Sequence, residues 1–192
     1  MKILKIVLVI VAVVVGIFTL YNATLSKEYS VSRSTTMDVD PALVQQIVSD
    51  FSTWPEWSAW FLADSTMEYE LGTTYVGEGA TYSWTSENSG SGAMEILQLT
   101  ASAMETKIDF VGQGTSYGHW EFSTSDEGKA LVSWGFSGEM PLLMRWMGAQ
   151  MDKWVGPDFE TGLANLTAYA EREAIANEVA EQQTMQPAEV LD

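Results

Sequence analysis

Between residues 65 and 138 apolar and polar side chains alternate in six short runs, at 67–71, 80–85, 93–100, 105–111, 119–124 and 130–138. A period of two sends successive side chains to opposite faces of an extended chain, so each run predicts a strand buried on one side only. Glycine or polar residues separate the runs, and Glu87-Asn88-Ser89-Gly90 and Asp126-Glu127-Gly128 have hairpin-turn composition. The product is an antiparallel meander whose apolar face has to be covered by something else.

The flanking sequence supplies the cover. Upstream, residues 28–39 alternate with Tyr29, Val31, Thr35, Met37 and Val39 on one parity, which predicts a further strand. Asp40-Pro41 then opens a helix, with aspartate as N-cap, proline at the first helical position and Val44, Ile47 and Val48 as its apolar stripe. In the stretch DFSTWPEWSAW, residues 50–60, Thr53 and Glu56 have capping-box spacing, and Trp54, Trp57 and Trp60 fall on one face of a second short helix. Downstream, Met140, Met144, Met147 and Met151 recur at helical spacing. After Gly156-Pro157 a long helix to about residue 180 carries Phe159, Leu163, Leu166 and Ala170 on one face. The last residues, 181–192, read as a polar acidic tail.

The chain also opens with an apolar run. Residues 3–21 hold one charge, Lys5, and at about 1.5 Å per residue such a run comes close to spanning a hydrocarbon core of about 30 Å. Residues 1–25 are therefore read as a membrane anchor in preference to a cleaved signal, because the exit Phe18-Thr19-Leu20-Tyr21-Asn22 offers no small-x-small cleavage site. Lys2 and Lys5 before the helix favour a single-pass inner-membrane protein with its domain on the periplasmic side. All 26 acidic residues follow the run against seven of the nine basic ones, a net charge of −19. Such a surface repels phosphate backbones and anionic head groups, so nucleic acid is not expected as a partner and membrane attachment falls to the helix.

Strand, two short helices, six-stranded meander and long terminal helix is the order of an α+β helix-grip fold, a curved antiparallel sheet around a C-terminal helix. The segments SVSRSTTMDVDPALVQQIVSDFSTWPEWSAW, GEGATYSW, GSGAMEI, VSWGFSGEM and MDKWVGPDFETGLANL together resemble the SRPBCC superfamily, the polyketide cyclase/dehydrase and START-like (Bet v 1-like) proteins, in particular its membrane-anchored bacterial members. The resemblance covers residues 29–172 within a domain placed at 28–180. It implies a hydrophobic cavity between sheet and helix and carries over no catalytic residue, since fold leaves function open.

Taking the apolar parity of each run as inward places Tyr82 and Trp84, Met94 and Ile96, Ile108 and Phe110, Trp120 and Phe122, and Trp134 and Phe136 inside. Glu95, Asp109, His119 and Glu121 fall on the opposite parity. Acid/base catalysis needs a titratable group within reach of the reacting atom, and the inward set offers only the phenol of Tyr82. His119 is the only histidine, so neither a multi-histidine metal site nor a serine–histidine–carboxylate relay is expected, and no cofactor is implied. Arg33 breaks the apolar parity of the first strand; it reads either as an anchor for the acidic head of a ligand or as an internal ion pair, for instance with Glu160.

The expected ligand-binding set is Arg33, Tyr82, Trp84, Met94, Phe110, Trp120, Trp134 and Phe136 from the strands with Met144, Met147, Phe159 and Leu163 from the C-terminal part. The methionine stripe is read as ordinary core before a lid over the cavity, and Trp54, Trp57 and Trp60 as a plug at one end of the sheet before a surface for stacking on a ligand. Three functions compete: a binding module for a small hydrophobic molecule (lipid, isoprenoid or polyketide-like), a cyclase or dehydratase using the same cavity, and a protein-interaction domain with a filled interior. Cavity volume separates the third from the other two.

Overall fold

The structure, a computed structural model, describes residues 2–185, so residues 186–192 of the expected polar tail lie outside the described residues. An apolar helix α1 (Lys2–Thr24) precedes strand β1 (Glu28–Met37). It is long and apolar enough to cross a membrane. Three short helices follow, α2 (Pro41–Val48), α3 (Trp54–Trp57) and α4 (Ala59–Ala63), and then the meander β2 (Glu68–Leu71), β3 (Thr81–Ser86), β4 (Gly90–Leu99), β5 (Ala103–Phe110), β6 (Gly114–Thr124) and β7 (Ala130–Glu139). A one-turn helix α5 (Arg145–Gly148) and the long helix α6 (Met151–Met185) complete the chain.

The seven strands form one antiparallel sheet in the order β1-β7-β6-β5-β4-β3-β2, with the first strand closing against the last. A register shift between Ile96 and Gln98 in β4 marks a bulge, a device that bends and twists a strand. The concave face is covered by α6 and by α2 to α4. All ten side chains assigned inward by alternation turn away from solvent; Phe110 is half-buried and the other nine are buried.

Helix α2 starts as its sequence dictates: the Asp40 side chain accepts from the Ala42 N–H at 2.7 Å and Pro41 occupies the first turn. The expected capping box at Thr53 does not form. Thr53 is already helical, and its hydroxyl donates back to the carbonyls of Ile47 and Asp50 while accepting the indole N–H of Trp57 at 3.2 Å. The side chain is needed to tie three short turns together, so it is not free to cap one of them.

Two C-terminal expectations are also corrected. The methionines from 140 to 151 do not sit on one helix, because Pro141 is extended and a 3₁₀ turn (Leu142–Met144), α5 and α6 divide the segment. Met140, Met147 and Met151 still face inward, but Met144 is exposed. Nor does Gly156-Pro157 start the long helix; α6 begins at Met151, runs through Pro157 and ends at Met185, beyond the expected residue 180. An internal proline removes one intrahelical hydrogen bond. Here Val155, Phe159 and Leu163, packed in the core on either side of it, hold the helix in place.

Candidate ligand cavity

Between sheet and helices lies a cavity of about 350 Å³. Its origin can be read along the strands. Toward the end of the sheet where β1 begins and β7 ends, small inward residues alternate with large ones: Gly138 beside Phe136 on β7, Ser116 and Gly118 on β6, Thr106 behind Ile108 and Phe110 on β5 and Gly92 on β4. Toward the other end the same strands place Val132 and Trp134, Trp120 and Phe122, and Met104 inward. Tyr29, Thr106 and Trp84 occupy the places a side chain would take at Gly138, Gly118 and Gly92, and the cavity is bordered by these three with Ser116, Ile108, Phe110 and Phe136.

The walls are aromatic. Trp120 and Trp134, paired across β6 and β7, stack with centroids 4.6 Å apart, and Phe159 of α6 meets the Trp134 ring at 4.3 Å. The three neighbouring tryptophans take different positions on this wall. Trp54 donates its indole N–H to the Val48 carbonyl at 3.0 Å and borders the cavity, Trp57 is fully buried behind it, and Trp60 reaches Asp158 of α6 at 3.3 Å. Gly162 permits this closeness: a Cβ there would sit 2.8 Å from the Trp134 ring.

Nine of the twelve expected ligand-binding residues line the cavity, namely Tyr82, Trp84, Met94, Phe110, Trp120, Trp134, Phe136, Met147 and Phe159. The structure does not bring Arg33, Met144 or Leu163 to it. Leu163 is buried in the core and Met144 faces outward. Arg33 lies beneath the first turns of α6, where its Nε donates to Glu160 at 2.7 Å and its Nη1 to Asp152 at 2.7 Å. Gly156 leaves room for the guanidinium, and the arginine holds the Asp152 carboxyl below the usual carboxylate range.

Apart from one carboxylate, the polar groups on the described lining are neutral. Tyr29 and Ser116 share a buried hydrogen bond of 2.7 Å, and Thr106 is buried beside them. Ser116 escaped sequence reasoning because the GTSYG half of β6 has no apolar alternation and fell between the assigned runs, while Tyr29 and Thr106 lay on the inward parity of their strands but were not counted among the cavity residues. Burial pushes the Tyr82 phenol well above its ordinary range, so it stays protonated and can offer a hydrogen bond but not act as a base near neutrality. The only carboxylate on the lining, Glu139, accepts from Lys27 at 2.7 Å.

On the convex face the structure corrects the expectation that His119 stands alone. Its Nδ1 meets Glu105 Oε2 at 2.5 Å and its Nε2 meets Ser137 Oγ at 2.7 Å, the order of a serine–histidine–carboxylate relay. Ser137 lies in a strand paired on both sides, so the surrounding backbone amides are committed to the sheet and none is left to stabilise an oxyanion. The trio is a cross-strand polar ladder. Among the described residues no group of histidines and carboxylates converges as metal ligands.

With this geometry the chain can be set beside known proteins. Residues 28–171 match the sequence profile of the family described as polyketide cyclase / dehydrase and lipid transport, and the chain belongs to that family, within the SRPBCC superfamily. A protein of unknown function, SA2116 from Staphylococcus aureus, has a similar structure at 12% identity and a TM-score of 0.60, covering 76% of this chain and 95% of that one. The di-domain ARO/CYC protein StfQ from the steffimycin biosynthetic pathway superposes with a TM-score of 0.59 at 12% identity, over 80% of this chain and 54% of that one. Ara h 8.0201 does so with 0.53 at 12% identity, over 76% and 99%. At such identities the likeness shows the helix-grip fold. No curated protein sequence matches the chain significantly.

Proposed function

We propose that the chain is a membrane-anchored binding module that holds one small, uncharged, largely apolar molecule between sheet and C-terminal helix. The observation that carries this is the cavity: about 350 Å³, within the range of about 300–1,000 Å³ usual for ligand sites, walled by aromatic and methionine side chains. A filled interior, as a pure interaction domain would have, does not agree with that volume. Its lining contains no lysine, arginine or histidine to pair with an acidic head group, while Tyr29, Ser116, Thr106 and Tyr82 offer neutral hydroxyls. Among lipid, isoprenoid and polyketide-like compounds the match is therefore to neutral members with a hydroxyl or carbonyl. Helix α1 is read as the anchor, with the domain on the periplasmic side of the inner membrane.

Native mass spectrometry of detergent-extracted full-length protein tests the binding reading. The expected result is a retained neutral small molecule, together with saturable binding of the apolar probe N-phenyl-1-naphthylamine that shifts tryptophan fluorescence. Neither retention nor probe binding would overturn it. Protease treatment of spheroplasts should cleave the domain; protection there, with cleavage in inverted vesicles, would reverse the topology.

A further inference from the structure

Helix α1 is exposed along nearly its whole length, as a lipid-facing helix would be, yet Asn22 near its C-terminal end is fully buried. The asparagine is engaged with the far part of the chain. Its Oδ1 accepts the backbone N–H of Trp146 at 3.0 Å, supplying a partner to the first turn of α5, and its Nδ2 donates to the Phe18 carbonyl at 3.0 Å. Arg145 adds a second tie, donating to the Leu25 carbonyl at 3.3 Å. Helix α1 has 23 residues, which at about 1.5 Å each rise about 35 Å against a hydrocarbon core of about 30 Å. Whatever is held at Asn22 is therefore held at the membrane–water boundary.

The segment held there has two faces. Met147, Met151 and Val155 look into the cavity, whereas Leu142, Leu143, Met144, Trp146 and Trp154 are 38–53% exposed. The other exposed large apolar side chains of the domain, such as Leu62, Val76, Leu97 and Ile175, are scattered along the chain, whereas these five fall together between residues 142 and 154, and tryptophan favours the headgroup level. The charge also differs locally. Lys27, Arg145 and Lys153 are three of the seven basic residues beyond α1, and the nearby carboxylates of Glu139 and Asp152 are met by Lys27 and Arg33. The repulsion that the acidic surface exerts on a bilayer is thus relieved at this place.

The cavity opens on the same side. Its exposed lining residues, Ser89, Gln113, Thr115 and Glu139, lie on the β3–β4 and β5–β6 hairpins and at the end of β7. Register puts all of these at the sheet end where Glu28 opens β1, directly after α1. Val111, 72% exposed, stands on that β5–β6 hairpin.

We propose that residues 141–154, with the hairpin at Val111, form a collar resting in the headgroup layer of the bilayer that α1 spans, so that the cavity mouth opens onto lipid and ligand is exchanged with the membrane. The inference rests on reading α1 as a membrane span. The absence of native cysteine allows a direct test with single-cysteine variants of the full chain, Leu143→Cys and Val111→Cys at the collar and Asp126→Cys at the opposite end of the sheet. Each carries an environment-sensitive nitrobenzoxadiazole label and is reconstituted in phosphatidylcholine vesicles containing a lipid with a nitroxide at headgroup depth.

All three variants are expected to float with the vesicles, with the labels at 143 and 111 blue-shifted and quenched and the label at 126 neither. Failure to float would overturn the anchoring reading and the collar with it. Flotation with labels at 143 and 111 as wet and unquenched as that at 126 would overturn the collar alone. A label at 143 that is shielded only as protein concentration rises, without nitroxide quenching, would assign the patch to a second copy of the chain and also overturn it.

Discussion

The two ends of the sheet are built from the same strands and behave as different materials. At the end reached by α2, Met37, Val44, Val48, Met104, Ala130, Val132, Leu166 and Ala170 are all fully buried, and the space is solid. The surface above it is a polar hollow with Asp38, Asp126, Glu127 and Glu171 around it. At the end where α1 departs, Tyr29, Trp84, Ile108, Phe110, Ser116 and Phe136 surround a hollow interior and the surface is apolar. Stability and binding are thereby separated along one set of strands: the solid end holds the sheet in shape while the hollow end can afford missing contacts.

Leu166→Ala and Ile108→Ala remove similar side chains from the two ends and should cost different amounts. At the solid end about 4–5 kcal/mol is expected, and at the cavity wall about 2 kcal/mol, since a side chain beside empty space has fewer neighbours to lose. Urea denaturation measures both, and equal costs would erase the distinction. Gly162→Ala falls between the ends. The new methyl meets the buried Trp134 ring, so despite alanine's better helix propensity it should destabilise by about 1–3 kcal/mol and weaken probe binding.

Asn22→Leu should cost about 1 kcal/mol, because it leaves the Trp146 amide without its acceptor. Faster hydrogen exchange confined to residues around 146, with exchange at the solid end unchanged, would be its signature. The smallest effect is one of pH. Asp64 accepts from Ser86, Ser89 and Thr66 and from the Thr66 amide, and these bonds, that from Ser86 foremost, hold its carboxyl well below the usual range. A lowered folded-state value gives stability that is whole above the ordinary carboxylate pKa of about 4 and fades as pH drops through the folded value. The difference in melting temperature between wild type and Asp64→Asn should thus hold steady above about pH 5 and close in stronger acid.

The large side chains of the interior were legible in the sequence and the small polar ones only in part, for a physical reason. Large inward residues announce themselves by alternation, so Trp120, Phe122, Trp134 and Phe136 could be placed before any coordinates. Ser116 and Gly118 give no apolar signal, so the first half of β6 fell between the assigned runs, and Thr106, inside its run, was passed over as polar, so these neutral hydroxyls of the cavity were missed. Arg33 shows the complementary limit. Its parity and the pair with Glu160 were among the readings of the sequence, but the second partner, Asp152, depends on where α6 begins, and Gly156-Pro157 suggested a later start. The His119 ladder was hidden for a similar reason: Glu105 and Ser137 are brought to it by register, which alternation alone does not reveal.

The hydrogen bond between Tyr29 and Ser116 gives the cavity a resting state of its own. Two hydroxyls that satisfy each other need no trapped water when the space is unfilled, yet between them they keep one proton to give and several lone pairs to receive. A guest bringing one carbonyl or hydroxyl can join this pair without breaking it. A guest bringing a carboxylate would have to leave its hydration behind and find no cation on the lining in return. On the binding reading proposed above, the hydroxyl pair and the cation-free lining together would select for guests by what they do not demand.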